Sequence, residues 1–268
     1  MPSPADPVAF ELFGVAVRWY AIFILTGIVV AIVLIQGLAR RRGFDPGFPL
    51  DAAPWIVFAG VLGARMTYVL LRADYFVTHP LDALNIRLGG LSIHGALIAG
   101  TAVFWWWCRR RGESVVLWVD LIVPGVALGQ AIGRWGNWAN QEAFGLPTDL
   151  PWALAIDPSN RPPQFASSPT FHPTFLYESV LNIVNTALLS WVAVNIQRLS
   201  WLRPGDGVAL YCVTYGVGRL VVEGLRTDSL YIGPLPGPVW ASIAFVVLGL
   251  AIAAVSRRPL TAPGAAAD

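Results

Sequence analysis

Apolar runs of 18 residues or more, each closed by arginines or by a polar loop, set the rhythm of the chain. The first, WYAIFILTGIVVAIVLIQGLA, runs from Trp19 to Ala39 and stops at Arg40, Arg41 and Arg42. A second covers Ala52 to Leu71 and carries Arg65, and a third covers Gly90 to Trp107, carries His94 and stops at Arg109, Arg110 and Arg111. The fourth, Val115 to Ile132, carries Asp120, and the fifth, Thr174 to Ile196, follows a long polar loop. The sixth, Gly207 to Leu225, carries Arg219 and Glu223, and the seventh, Pro238 to Val255, ends at Arg257 and Arg258. About 20 helical residues cross the ~30 Å of hydrocarbon in a bilayer. The pattern therefore predicts an all-α polytopic membrane protein with seven transmembrane helices. Residues 1–17 hold Asp6 and Glu11 but no positive cluster, so the first span reads as retained, not cleaved as a signal peptide.

Composition excludes the soluble alternative. With 56% hydrophobic and 13% charged residues and a mean hydropathy of +0.60, the chain is too apolar for a water-soluble domain of its length. One membrane domain over residues 1–258 is expected, followed by a disordered small-residue tail, Pro259 to Asp268. Lysine is absent, so all 18 basic residues are arginines, and their placement orients the bundle. Ten lie after spans one, three and five or at the carboxyl end, against six in the opposite segments. By the positive-inside rule this puts the amino terminus outside and the carboxyl terminus in the cytoplasm. Cys108 and Cys212, far apart and in apolar surroundings, read as packing residues rather than a disulfide or a metal knuckle.

That orientation brings the chain's intramembrane polar residues to one depth. His94, the stretch from Arg134 to Glu142, His172 to Glu178, and Arg219 with Glu223 all fall at the outer ends of their spans. Arg65, two-thirds of the way outward, is placed to join them. Ionisable groups at membrane depth cost several kcal/mol unless paired or wetted, so each is a candidate site residue. The bland readings are specific: Arg219 and Glu223, four apart, as a structural ion pair; His94 as a helix cross-link; Tyr177 and Glu178 as anchors of span five; Trp105 to Trp107 as an interfacial belt. Asp120, in the inner half of its span, reads as structural.

GRWGNWANQEAFG, Gly133 to Gly145, is harder to read as structure alone. It packs an arginine, two asparagines, a glutamine, a glutamate and three glycines into 13 residues where the chain should leave the membrane. Arg134 offers a fixed fork for phosphate or carboxylate. Asn137 and Asn140 donate and accept, and the glycines let a ligand approach the backbone. Two arginines on different helices in an apolar surround suit an anionic phospholipid, and a histidine supplies a group that ordinarily titrates near neutrality. No acidic or cysteine set stands at metal-ligand spacing, and no nucleophile elbow suggests a lipase. The loop from Leu146 to Phe171, rich in proline, reads as a mobile lid.

The same 13 residues resemble the signature of the prolipoprotein diacylglyceryl transferases, bacterial enzymes that begin lipoprotein maturation. VRWYAIF at Val17, GGLSIHGALIAG at Gly89, HPTFLYE at His172 and YGVGRLVVEGLRTD at Tyr215 agree with that family in the same order. The resemblance implies transfer of the diacylglyceryl group of phosphatidylglycerol to the thiol of a lipobox cysteine in a prolipoprotein signal peptide, with release of glycerol phosphate. It implies a multi-pass protein of the bacterial inner membrane, its site toward the outer leaflet, with no cofactor, metal or nucleic-acid partner. The family's functional positions fall on Tyr20, His94, Arg134, Asn137, Glu142, Gly145, Arg219 and Glu223. Of these, Tyr20, His94, Arg134, Glu142 and Arg219 are the catalytic set. Arg134 and Arg219 are expected on the lipid phosphate and leaving group, Asn137 and Glu142 on the glycerol head or ordering Arg134, Gly145 beside the lipid, and Glu223 orienting Arg219. His94 is the expected base, with a purely positional role as the alternative. The sequence departs from the family at Ala96, Ala99 and Gln141, where glycine is usual, and at Phe175, where glutamine is usual. Rival classes are an ion-coupled transporter using Arg65, Asp120, Arg219 and Glu223, disfavoured by the absence of an internal repeat, and a lipid-binding protein without turnover.

Overall fold

A computed structural model describes residues 1–4, 6–85 and 89–257. The tail from Pro259 to Asp268, and Arg87 and Arg258 of the charge count, lie outside the described residues. A hairpin of β1 (Val8–Leu12) and β2 (Val15–Arg18) turns through Phe13 and Gly14, both at positive φ, the two-residue turn that matches strand twist. It leads into α1 (Trp19–Arg41), followed by α2 (Phe48–Leu71), the short α3 (Ala73–Thr78), a 3-10 turn at Pro80–Leu84 and α4 (Ile93–Arg111). α5 (Val115–Asn140) delivers the chain to a loop holding the strand pair β3 (Leu154–Ala155) and β4 (Thr170–Phe171). Then come α6 (Thr174–Asn195), α7 (Asp206–Glu223), the small hairpin of β5 (Tyr231–Ile232) and β6 (Leu235–Pro236), and α8 (Gly237–Ser256).

The apolar runs thus become helices, and the protein is a mostly helical, multi-pass membrane protein whose strands, among the described residues, are confined to three short hairpins or pairs. α1, α2, α5, α6 and α8 are long and apolar enough to cross a bilayer. α4 and α7 reach 19 and 18 residues, but Arg109–Arg111 on one and Asp206, Arg219 and Glu223 on the other make them more polar. Outward faces stay apolar: Val29, Val33, Val184, Val221 and Val247 are all exposed, as suits lipid contact.

By packing, the chain forms two compact units, Met1–Arg42 with the chain from Val119 onward, and Gly43–Trp118. In the second unit α2 lies against α4. A Cβ on Gly63 would fall 2.5 Å from the Ala99 methyl and from the Gly95 carbonyl oxygen. The alanine at a usual glycine position is accommodated because the helix facing it supplies the glycine, the small-residue packing of membrane helices. In the first unit α7 packs between α6 and α8.

α7 is capped from a neighbouring helix. Asp120 on α5 is fully buried and accepts the N–H groups of Gly205 at 2.7 Å and Val208 at 3.0 Å. A carboxylate there satisfies orphan donors and faces the positive end of the helix dipole. Asp206 beside it pairs with Arg257 after α8 at 2.8 Å. Asp120→Ala should strand one buried and one half-buried donor and lower stability by about 2 kcal/mol, read as a lower thermal midpoint in detergent. An unchanged midpoint would show the cap to be dispensable.

Candidate functional site

Most of the 13-residue stretch is helix, although its place after the fourth apolar run suggested that the chain leaves the membrane there; only Gln141 to Gly145 lie beyond it. α5 continues two turns beyond Ile132 to Asn140, so Arg134 and Asn137, three apart, share one helical face. Packing stabilises this end where propensity does not: a Cβ on Gly136 would fall 2.5 Å from Cδ2 of Tyr20, so the tyrosine ring lies directly on the helix backbone. Tyr20 is otherwise 39% exposed at the start of α1. The helix stops at Gln141, whose φ of 51° is left-handed. That is the conformation in which glycine normally ends a helix, which accounts for the family's glycine at this place. Here the buried glutamine compensates. Its Nε2 donates to Asp157 Oδ2 at 2.6 Å, and its Oε1 accepts from the Asp157 N–H at 2.8 Å and Asn160 Nδ2 at 3.3 Å.

Glu178 joins the charged residues of three helices. From the first turns of α6 its Oε2 forms an ion pair with Arg134, 2.8 Å from Nε, and its Oε1 accepts from Arg219 Nη1 on α7. Arg219 Nη2 pairs in turn with Glu223, one helical turn on, and Glu223 accepts from the Ser229 hydroxyl. The carboxylates lie inside, with side chains 6% and 2% exposed, and the arginines toward the opening, at 13% for Arg219 and 22% for Arg134. Two charges of each sign cancel. Arg134 commits only Nε, so its terminal nitrogens have no protein partner among the described residues, and the edge it presents suits a phosphate.

Asn137 and Glu142 form a separate polar patch. Glu142 Oε1 accepts from Asn137 Nδ2 at 3.0 Å and from Asn140 Nδ2 at 3.3 Å, while the acid on Arg134 is Glu178. Gly145 is fixed by packing on every side. Its N–H donates to the His172 carbonyl at 2.9 Å, and a Cβ would lie 2.8 Å from both the Leu225 oxygen and His172 Cβ. It also bridges to Arg226, just beyond α7. Burial works against the charge of Arg226, but the Asp228 carboxylate, 2.9 Å from Nε and 2.7 Å from Nη2, holds its pKa above the ordinary arginine value.

The segment expected as a mobile lid is instead packed. Phe144, Leu154, Ile156, Phe171 and Phe175 form a buried apolar cluster, and Phe175 meets Trp135 edge-on at 5.3 Å. Phenylalanine in the usual glutamine position therefore extends this core. Trp152 Nε1 donates to the Tyr177 hydroxyl at 3.0 Å, which also meets His172 Nδ1 at 3.1 Å, and the Thr174 hydroxyl donates to the Ala143 carbonyl.

Arg65 does not contribute a free charge. In its own unit its Nε, Nη1 and Nη2 donate to the carbonyls of Ala83, Gly89, Gly90, Asp82 and Asn85 at 2.5–3.1 Å. Five donors meet five acceptors, which exhausts a guanidinium. His94 is the second residue of α4 in that same unit, and exposed. Sequence reasoning counted Glu178 among the candidate residues, with anchoring of the fifth span as its bland reading, but did not connect it with the two arginines. The available signal was an acid one turn inside an apolar helix.

Chains of known family resemble this one along nearly its whole length. The family model described as prolipoprotein diacylglyceryl transferase matches residues 7–255. The phosphatidylglycerol–prolipoprotein diacylglyceryl transferase of Gloeobacter violaceus is 45% identical over 244 residues, 91% of this chain and 90% of that one. Its counterpart in Synechococcus elongatus is 42% identical over 248 residues, 91% and 86% of the two chains. That of Trichormus variabilis is 41% identical over 260 residues, 95% and 92%.

Proposed function

Since the chain belongs to the prolipoprotein diacylglyceryl transferase family, we propose that it transfers the diacylglyceryl group of phosphatidylglycerol to the lipobox cysteine of prolipoproteins. The observation that carries the site assignment is Glu178 binding Arg134 and Arg219 at once. A carboxylate shared by two guanidiniums fixes their spacing before substrate arrives, and preorganised charge is the largest catalytic effect a protein usually supplies.

In the reaction the cysteine sulfur attacks the glycerol carbon that carries the phosphate. The S–C bond forms as that carbon–oxygen bond breaks, and the electron pair leaves on the phosphate oxygen. A phosphodiester with one negative charge becomes a phosphomonoester with two, glycerol phosphate. The free edges of Arg134 and Arg219 meet this second charge as it develops, and Glu223 holds Arg219 in place. A free thiol is mostly protonated at neutral pH, so a base is needed, and His94 is assigned that role. Asn137 and Glu142, joined by a hydrogen bond, take the glycerol head group. Gly145 and Tyr20 shape the backbone wall against which the lipid rests.

The reading includes seven spans, α4 and α7 among them, in a single domain of residues 1–258. The amino terminus is outside and the site faces the outer leaflet of the bacterial inner membrane. The arginine distribution supports this orientation. The protein's substrates are then a lipid of its own bilayer and a signal peptide threaded through it.

The test is the mass of a cysteine-containing lipobox peptide after incubation with the purified protein and phosphatidylglycerol in detergent, with a serine peptide as control. Gain of one diacylglyceryl group on the cysteine peptide alone is expected. No gain, with phosphatidylglycerol bound, would make this a lipid-binding site without turnover.

A further inference from the structure

A narrow pocket of about 20 Å³, room for a single water or one carbonyl oxygen, continues from the arginine pair into the first unit, lined by Asn182 and Asn185 of α6, Thr214 and Gly218 of α7, and Leu181. It begins at Arg134, Glu178 and Arg219 and follows α6 toward its middle. Its polar side chains are not explained by the phosphate site. Asn182 and Asn185 are 6% and 5% exposed, at positions where a membrane helix should be apolar, and an amide at that depth needs a partner. Each has only part of its capacity used. Asn182 Nδ2 donates to the Glu178 carbonyl of its own helix at 2.8 Å, and Asn185 Oδ1 accepts from the Thr214 hydroxyl at 2.7 Å. Among the described residues, the second polar atom of each amide has no protein partner.

We propose that this pocket receives one acyl ester carbonyl oxygen of the diacylglyceryl group, with Asn185, seated by Thr214, donating its amide N–H to it while the rest of the lipid stays outside. This rests on the phosphatidylglycerol reading above. Depth argues for it. Helices rise 1.5 Å per residue, so Asn182 and Asn185 lie roughly 6 and 10 Å below Glu178 along α6. A phospholipid entering from the bilayer keeps its acyl chains toward the helix middles. With its phosphate on Arg134 and Arg219, an ester carbonyl then falls at the depth of the asparagines, while its head group points the other way. The chemistry agrees as well: an ester carbonyl is an acceptor without a proton, matched by an amide N–H, and beyond the charged residues at its mouth the polar lining of the pocket is uncharged. Exposed Leu181 and the side-chain-free Gly218 flank it, leaving the chains outside it, against α6 and α7. The ester group travels with the diacylglyceryl product, so such a contact holds the reacting carbon in line throughout transfer and discriminates among lipids by their linkage.

The experiment compares kcat/KM for transfer to the lipobox peptide from diester phosphatidylglycerol and from its dialkyl ether analogue, which has the same head group and phosphate but no ester carbonyls. The wild-type protein should prefer the diester by roughly five- to tenfold, the worth of one hydrogen bond. Asn185→Leu, close in size, should bring that ratio toward one, and Thr214→Val, which unseats the amide, should lower it in part. Equal use of the two lipids by the wild type, or a ratio preserved in Asn185→Leu, would reduce the cavity to a water site and overturn the inference while leaving the transferase reading intact. A change in preference between phosphatidylglycerol and phosphatidylethanolamine in these variants would place the head group here and overturn it equally. Absence of transfer from either lipid by the wild type would sink the transferase reading and this subsite with it.

Discussion

Arg219→Lys is expected to lower kcat for diacylglyceryl transfer by about two orders of magnitude, the loss typical when one preorganised donor to a developing charge is removed. Lysine retains the charge, so the reason is geometric. Arg219 does two things at once: Nη1 binds Glu178 and Nη2 binds Glu223, which fixes the plane of the guanidinium and with it the edge left for phosphate. An ammonium is a point charge on a flexible stem. It would keep one carboxylate and leave either the second acid or the substrate without a partner. Arg134→Lys should cost a comparable factor, because Nε holds Glu178 while the terminal nitrogens face the opening. Lysine has no second nitrogen with which to do both. Single-turnover rates with saturating lipid separate this from weakened binding. A lysine variant at either position that kept the wild-type rate would mean that charge alone matters and the fork does not.

The sequence was a good guide to what is encoded locally. Apolar runs marked the long helices because period and length follow from the solvent, and Arg219 with Glu223, four residues apart, was legible as a pair because helical spacing fixes it. Failures occurred where tertiary contacts decide. Glycine and asparagine between Gly133 and Asn140 weaken a helix by propensity, yet Tyr20 packed on Gly136 holds it. The prolines between Leu146 and Phe171 suggested mobility, but Phe144, Leu154, Ile156 and Phe171, irregularly spaced, build a core around themselves. Arg65 looked like part of the charged cluster because its partners are backbone carbonyls, and carbonyls leave no mark in a sequence. Glu178 was legible as a candidate, but its partners were not, for a related reason: they are two arginines from other helices, and no spacing rule relates residues 134, 178 and 219.

Glu178→Gln is therefore the variant with the most to reveal. The amide keeps the shape of the carboxylate but only one accepting oxygen, so it satisfies Arg134 or Arg219 and turns an N–H toward the other. Leaving one partner of a buried ion pair uncompensated costs on the order of 3 kcal/mol, and the thermal midpoint in detergent should fall. The kinetic signature is more specific. Two carboxylates cancel two guanidiniums in the intact cluster, so neutralising one leaves a net positive site that binds the anionic lipid at least as tightly. The arginines are no longer held at a fixed spacing, however, and the transition state, with its second phosphate charge, gains less from them. KM should hold or fall while kcat drops about a hundredfold, the pattern of a lost transition-state interaction rather than lost affinity. In an Arg219→Lys background the additional loss from Glu178→Gln should be far smaller than in the wild type, since residues acting as one unit are not additive. Additive losses, or a rise in KM with kcat intact, would mean that Glu178 does not act through the arginines.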